Sequence, residues 1–246
     1  MALGPQGFSV IDVPPAAPEV RESYEDLPLD PYMGNGTRFK RFAQYRVAPE
    51  PGRDRGWRYE KLPQRDYTTY RTFNNVGGGI RRSYEPVLVD FTPMITLGAD
   101  AIGLDRGEDW QINVHQNRTR ADGRRPGPLT PEGVHHDGHE YVMIAVVRRN
   151  NVGGSETRLW KPGAGTPFWT GTLEAGQAVL LDDRALQHDV TDVVSADGGP
   201  GHRDIVIVAF SRWKDKWYGD EHRQVCIDSS PSRYAKWTFT KLYLEK

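Results

Sequence analysis

The run Tyr141-Val142-Met143-Ile144-Ala145-Val146-Val147 is apolar at every position, with Glu140 before it and Arg148 after it. It falls far short of the roughly 20 apolar residues that span a bilayer, and its length suits a strand buried on both faces. Residues 177–181 and 204–210 are further short apolar runs. Between them stand Gly-Gly at 153–154 and 198–199 and Pro-Gly at 126–127 and 162–163, which are turn signals. Residues 110–118 alternate instead, with Ile112 and Val114 on one face and Gln111, Asn113 and His115 on the other. Short strands with Gly/Pro turns over 246 residues indicate a mainly β chain, a sandwich or jelly roll with flanking helices. A short strand is expected over 7–13, and helices over 17–27 and 93–104. Thr92 is the expected N-cap of the second helix, with Pro93 in its first turn.

Composition excludes several classes. Hydrophobic residues at 37% and charged residues at 26% suit neither a disordered chain nor a membrane protein. A net charge of -1 does not advertise a nucleic-acid partner. The single cysteine, Cys226, excludes an intramolecular disulfide and any multi-cysteine zinc cluster. Residues 1–13 lack the basic-then-apolar pattern of a signal peptide, so a cytoplasmic protein is expected. Residues 38–82 hold 12 Lys/Arg against 4 Asp/Glu, interleaved with aromatics. That stretch reads as a salt-bridged face packed through its rings, or as a surface for an anionic group.

The chemistry concentrates in Val134-His135-His136-Asp137-Gly138-His139-Glu140. In an extended strand His135 and Asp137 leave the same face, where an imidazole and a carboxylate can share one metal ion. His188, 51 residues after Asp137, is the candidate third ligand. Two histidines and one carboxylate on one side of a metal suit non-haem Fe(II), with open positions opposite. An alternative set is His135 and His139 with Glu140, as in cupin metal sites. Arg203 follows His188 by 15 residues and opens an apolar strand face shared with Ile205, Ile207 and Ala209. An arginine there needs a carboxylate partner, either Asp182 or Asp183 of the chain or a bound ligand.

The order His135-x-Asp137, His188, Arg203 resembles the Fe(II)/2-oxoglutarate-dependent dioxygenases. Within them it resembles the bacterial group that hydroxylates free amino acids, such as the isoleucine hydroxylases. Val114-His115-Gln116-Asn117-Arg118, Asn150-Asn151-Val152-Gly153-Gly154 and His202-Arg203-Asp204-Ile205 are similar to strings of that group, and the likeness runs from about residue 30 to 215. The resemblance implies a double-stranded β-helix (jelly-roll, cupin-like) core. It implies Fe(II) on His135, Asp137 and His188, 2-oxoglutarate held by Arg203, and O₂ as the oxidant. The coproducts would be succinate and CO₂.

The implied organisation is one dioxygenase domain over 1–246: an N-terminal elaboration (1–85), the core (86–213) and a C-terminal extension (214–246). A free amino acid needs a cation for its carboxylate and an acceptor for its ammonium. His115 and Arg118 are the first candidates, Arg81 or Arg82 the next, with Asn113 and Trp213 as possible lining. The expected partner is a small molecule, with no membrane and no nucleic acid. Alternative readings are a 2-oxoglutarate oxygenase that acts on nucleic acid or a protein side chain, and a cupin-like metal-binding protein that does not use 2-oxoglutarate.

Overall fold

A computed structural model describes residues 3–52 and 56–228. In chain order the elements begin with β1 (Phe8–Asp12), α1 (Pro18–Glu22), β2 (Arg38–Pro49), β3 (Trp57–Lys61), α2 (Thr92–Ile102), β4 (Trp110–Ala121) and β5 (Tyr141–Asn150). There follow β6 (Val152–Gly154), β7 (Glu156–Trp160), β8 (Trp169–Thr172), β9 (Gln177–Asp182), β10 (Gln187–Val190), β11 (Val193–Ser195) and β12 (Gly201–Arg212). A 3₁₀ turn at Trp213–Asp215 and α3 (Asp220–Asp228) come last. Among the described residues no helix is long and apolar enough to cross a membrane.

The strands form antiparallel sheets in a jelly roll. The large sheet runs β1-β9-β5-β12-β4-β2-β3, faced by a smaller sheet β10-β7-β8, with β11-β6 as a separate pair. β5 lies between β9 and β12, and Val142, Met143, Ile144 and Ala145 are all buried, as its unbroken apolar run predicts. Alternation then sorts the core into two layers. Met143, Ala145, Val206, Val208 and Phe210 pack outward under α1 and α2, with Tyr24, Phe91 and Ile95. Val142, Ile144, Ile205 and Ala209 pack inward against Leu159 of the smaller sheet.

Helix boundaries differ from expectation in detail. α1 is shorter than 17–27, with Tyr24 and Leu27 beyond its end still in the core. α2 has Phe91 as N-cap, and Thr92 lies inside the helix. Asp90 takes the capping part, accepting the Thr92 backbone N–H at 2.8 Å. Gly98 does not break α2. A Cβ there would stand 2.8 Å from the Phe210 ring, so its hydrogen lets the helix settle onto the sheet.

Two parts of the basic aromatic stretch, β2 and β3, belong to the large sheet. β2 pairs with β4 from Arg38↔Thr119 to Val47↔Trp110, and Phe42, Tyr45, Val47 and Trp57 are buried. Arg38, Arg41 and Arg46 pair with Asp30, Glu85 and Asp109. Residues 229–246 of the C-terminal extension lie outside the described residues.

Candidate active site

The segment that carries His135 and Asp137 is a bent loop that precedes β5, not a strand. Only His135 is paired in a ladder. Its N–H donates to the His188 carbonyl at 3.1 Å, and the His188 N–H donates back at 2.9 Å. This bridge sets the loop beside β10 and brings the two rings to a centroid distance of 4.5 Å. Gly138 turns the chain at φ +91°. A side chain there would stand 2.6 Å from the Trp217 ring and closer still to Phe73. Asp183 holds the turn. Its carboxylate accepts the backbone N–H of Asp137 (3.0 Å), Gly138 (2.7 Å) and His139 (3.0 Å). Burial and the Asp137 carboxylate push Asp183 up to about 7, against those three donors. In the sequence Asp183 is marked only as the end of an apolar run or a candidate partner for Arg203. Its contact with residues 46 to 44 positions earlier leaves no local signature.

The structure brings His135, Asp137 and His188 together, with one ligand atom from each within 4.8 Å of the others. His135 Nε2 lies 3.4 Å from one Asp137 oxygen and His188 Nε2 lies 3.7 Å from the other. His135 Nδ1 donates to the Gly133 carbonyl at 2.9 Å, which fixes the ring with Nε2 toward Asp137. Burial disfavours a charged His135, but hydrogen bonding and attraction from Asp137 outweigh it and raise that ring to about 9. Burial, then His135, lowers His188 to about 4. Burial opposes ionisation of Asp137, yet the surrounding imidazoles hold it well below the usual carboxylate range. An ionised carboxylate and two imidazole Nε2 atoms are the donor set for a divalent transition metal.

The His135/His139/Glu140 alternative is not assembled. His139 Nε2 accepts from Asn113 at 3.3 Å and its Nδ1 bonds Ser211 Oγ at 2.9 Å, so both ring nitrogens are used. Glu140 pairs with Arg212 at 3.2 Å.

Arg203 points into the same cavity from the inner face of β12, with Ile205 and Ile207 beside it. It is only 2% exposed, yet its Nε and Nη2 have no hydrogen-bond partner. Burial, with repulsion from Arg149, pushes it down to about 9. Neither Asp182 nor Asp183 pairs with it: Asp183 is occupied by the loop, and Asp182 lies 3.6 Å from Arg184. The Nε–Nη2 edge presents two parallel N–H donors, which suit a carboxylate.

The tentative substrate residues separate. His115 lines the cavity; Arg118 does not. The two are three positions apart on one straight strand, so they leave opposite faces. Arg118 is bound on the far face by Asp204 (2.6 and 2.9 Å) and Glu25 (2.6 and 3.0 Å), so, contrary to expectation, it is a structural ion pair and not a substrate contact. Arg81 pairs with Asp66 near the surface, whereas Arg82 lines the cavity. Asn113 lies behind His139, joined to Gln44 and Gln111, and Trp213 stacks outside under Arg46. Lys40, Tyr67, Asn74 and Glu132 are lining residues that sequence reading missed. Lys40 was legible only as one charge among many in the basic stretch.

A family model described as 2OG-Fe dioxygenase matches residues 21–209. The chain belongs to that family. This dioxygenase is therefore an oxidoreductase that uses Fe(II), 2-oxoglutarate and O₂, and the histidine–aspartate–histidine cluster with the unpaired Arg203 fits both groups. Among solved structures it is similar to a bsmA homolog from Methylobium petroleophilum PM1, at 26% identity and a TM-score of 0.70, over 86% of this chain and 94% of that one. It shares its fold with IDO from Bacillus thuringiensis, at 17% identity and a TM-score of 0.65, over 84% and 91%. No curated protein matches the chain.

Proposed function

We propose that this dioxygenase oxidises an unactivated C–H bond of a free amino acid or similar small zwitterion. Hydroxylation is the expected outcome, with desaturation or ring closure as variants set by where the target carbon sits. His135, Asp137 and His188 hold Fe(II), and Arg203 holds the distal carboxylate of 2-oxoglutarate. Bound together, Fe(II), 2-oxoglutarate and O₂ supply the oxidising power for C–H cleavage while 2-oxoglutarate becomes succinate and CO₂. The chain's own task is placement.

The observation that carries this reading is the second buried arginine of the cavity. Arg82 is 6% exposed, its Nε and Nη2 have no hydrogen-bond partner, and its guanidinium lies 4.6 Å from the centre of the Tyr67 ring. That edge suits an α-carboxylate, as the matching edge of Arg203 suits the cosubstrate. Glu132 supplies the opposite charge. It accepts from Asn74 at 3.2 Å and lies 3.6 Å from His135 Nε2, in position to take an ammonium beside the metal ligands. His115 stands against Phe42 and Tyr67 and closes the side of the pocket. Ile205 and Ile207 line the same cavity as Arg203 and the histidines and make that wall apolar.

The test is a screen of the twenty amino acids and common non-protein ones, read by succinate release and product mass. Turnover of at least one free amino acid, abolished by chelator and by His188→Ala, is expected. Full activity in chelator, or turnover of peptides or oligonucleotides with none of free amino acids, overturns the reading.

A further inference from the structure

Two cations of the cavity converge on one ring. Lys40 leaves the inner face of β2 beside Asn117, and its Nζ lies 5.8 Å from the centre of the Tyr67 ring and 4.7 Å from that of Tyr84. Arg82 approaches the same Tyr67 ring at 4.6 Å. Lys40 is 7% exposed, and no hydrogen bond or ion pair joins its ammonium to the described residues. The nearby Asp30 is engaged by Arg38 at 2.8 Å, and Asp137 belongs to the metal cluster. Burial, with repulsion from Arg38, pushes Lys40 down to about 7.

A buried cation without an anion is among the most costly arrangements a fold can hold, and two beside each other are worse. A ring face offsets part of that cost but does not neutralise charge. Arg38 and Asp30 cancel, and Arg203 is engaged by the cosubstrate. What remains toward the substrate is Lys40 and Arg82 against Glu132: a protonated Lys40 is one positive charge in excess, and an anion beside it holds that proton in place. A neutral zwitterion fills Arg82 and Glu132 and leaves Lys40 bare. A substrate with one further carboxylate completes the balance.

We propose that the preferred substrate is an acidic amino acid, with its α-carboxylate on Arg82, its ammonium toward Glu132 and its side-chain carboxylate on Lys40. This rests on the reading of a free-amino-acid oxygenase given above.

The test uses isosteric pairs. The Fe(II)- and 2-oxoglutarate-loaded enzyme is titrated anaerobically with L-glutamate, L-glutamine, L-aspartate and L-asparagine, and aerobic succinate release is measured for the same four. At least one acid is expected to exceed its amide in both affinity and kcat/KM, by about tenfold or more. Lys40→Met, which keeps the length and removes the charge, brings that ratio to within about threefold, mainly by weakening the acid. Amides bound and oxidised as well as their acids overturn the proposal and leave the amino-acid reading standing. So does turnover confined to other neutral amino acids. An acid preference that Lys40→Met leaves unchanged overturns the assignment to Lys40. Absence of binding and turnover with every amino acid, while another class of compound releases succinate, brings down the underlying reading instead. Should the variant fail to fold, the wild-type acid-to-amide ratio still decides the charge preference.

Discussion

Asp183 Oδ1 accepts the backbone N–H of Asp137 at 3.0 Å, so a buried carboxylate positions a half-buried one. Its second oxygen fastens Gly138 and His139. The geometry of the metal loop therefore depends on a residue that is not itself among the three candidate ligands. Asp183→Ala leaves three N–H donors without an acceptor. Loss of hydrogen bonds that support a metal ligand lowers metal affinity by about 10- to 100-fold, and that is the expected drop in anaerobic Fe(II) or Co(II) titration. Asp183→Asn, which keeps one acceptor oxygen, is expected to recover part of it. Unchanged affinity in Asp183→Ala would show that the loop holds its shape without the clamp.

Gly138 combines a left-handed φ of +91° with contact against Phe73 and Trp217. Gly138→Ala adds a methyl where neither ring has room. Backbone strain and overpacking together are expected to cost about 2–4 kcal/mol in denaturant unfolding. Metal affinity falls with it, because the turn and Asp137 are adjacent. A neutral substitution would mean that the rings move aside.

Arg203→Ala is expected to raise the KM for 2-oxoglutarate by about 100-fold or more, since a buried charged hydrogen-bond pair is worth several kcal/mol. The substrate KM changes little, because the substrate's carboxylate is assigned to Arg82 and not to Arg203. Steady-state kinetics with each ligand varied in turn check the split. Equal rises in both constants count against the assignment.

Arg118→Ala is expected to damage the fold and not the pocket. It strips Asp204 of its strongest partner, and breaking such a buried pair costs about 3–5 kcal/mol, read as a lowered denaturation midpoint with an unchanged substrate KM. A pH signature accompanies it. The Arg118 hydrogen bond, together with Arg148 and against burial, lowers the Glu25 carboxyl from its ordinary 4.5 to about 2. A depressed folded-state pKa contributes stability that is present above about pH 4.5 and is lost as pH falls toward 2. Glu25 is 56% exposed, so solvent and salt screen the effect and the slope is shallow. Arg118→Ala is expected to flatten it in unfolding measured from pH 3 to 6.

Much of the site is legible one residue at a time. His135, Asp137 and His188 are named by their types and spacing, and Arg203 by the misfit of a guanidinium on an apolar strand face. The expected strand through His135 and Asp137 is instead a loop, because hydrogen bonds to Asp183 replace a ladder. The pairing of His115 with Arg118 fails within the sequence's own logic, since period-2 alternation already sets them apart. Lys40 and Glu132 carry no local mark. A charge in a basic stretch looks the same whether its strand edge meets water or a cavity.

Strands β1, β4, β5, β9 and β12, the mainly β class, the metal-ligating residue types and the arginine behind them are legible in the chain alone, because hydrophobic period and donor chemistry are properties of short segments. The folded chain alone settles which face of β4 looks into the pocket, that β2 lines it, and that Lys40 and Arg82 both approach the Tyr67 ring. Those facts arise where distant segments pack against one another. Burial then turns ordinary surface charges into groups that require a partner.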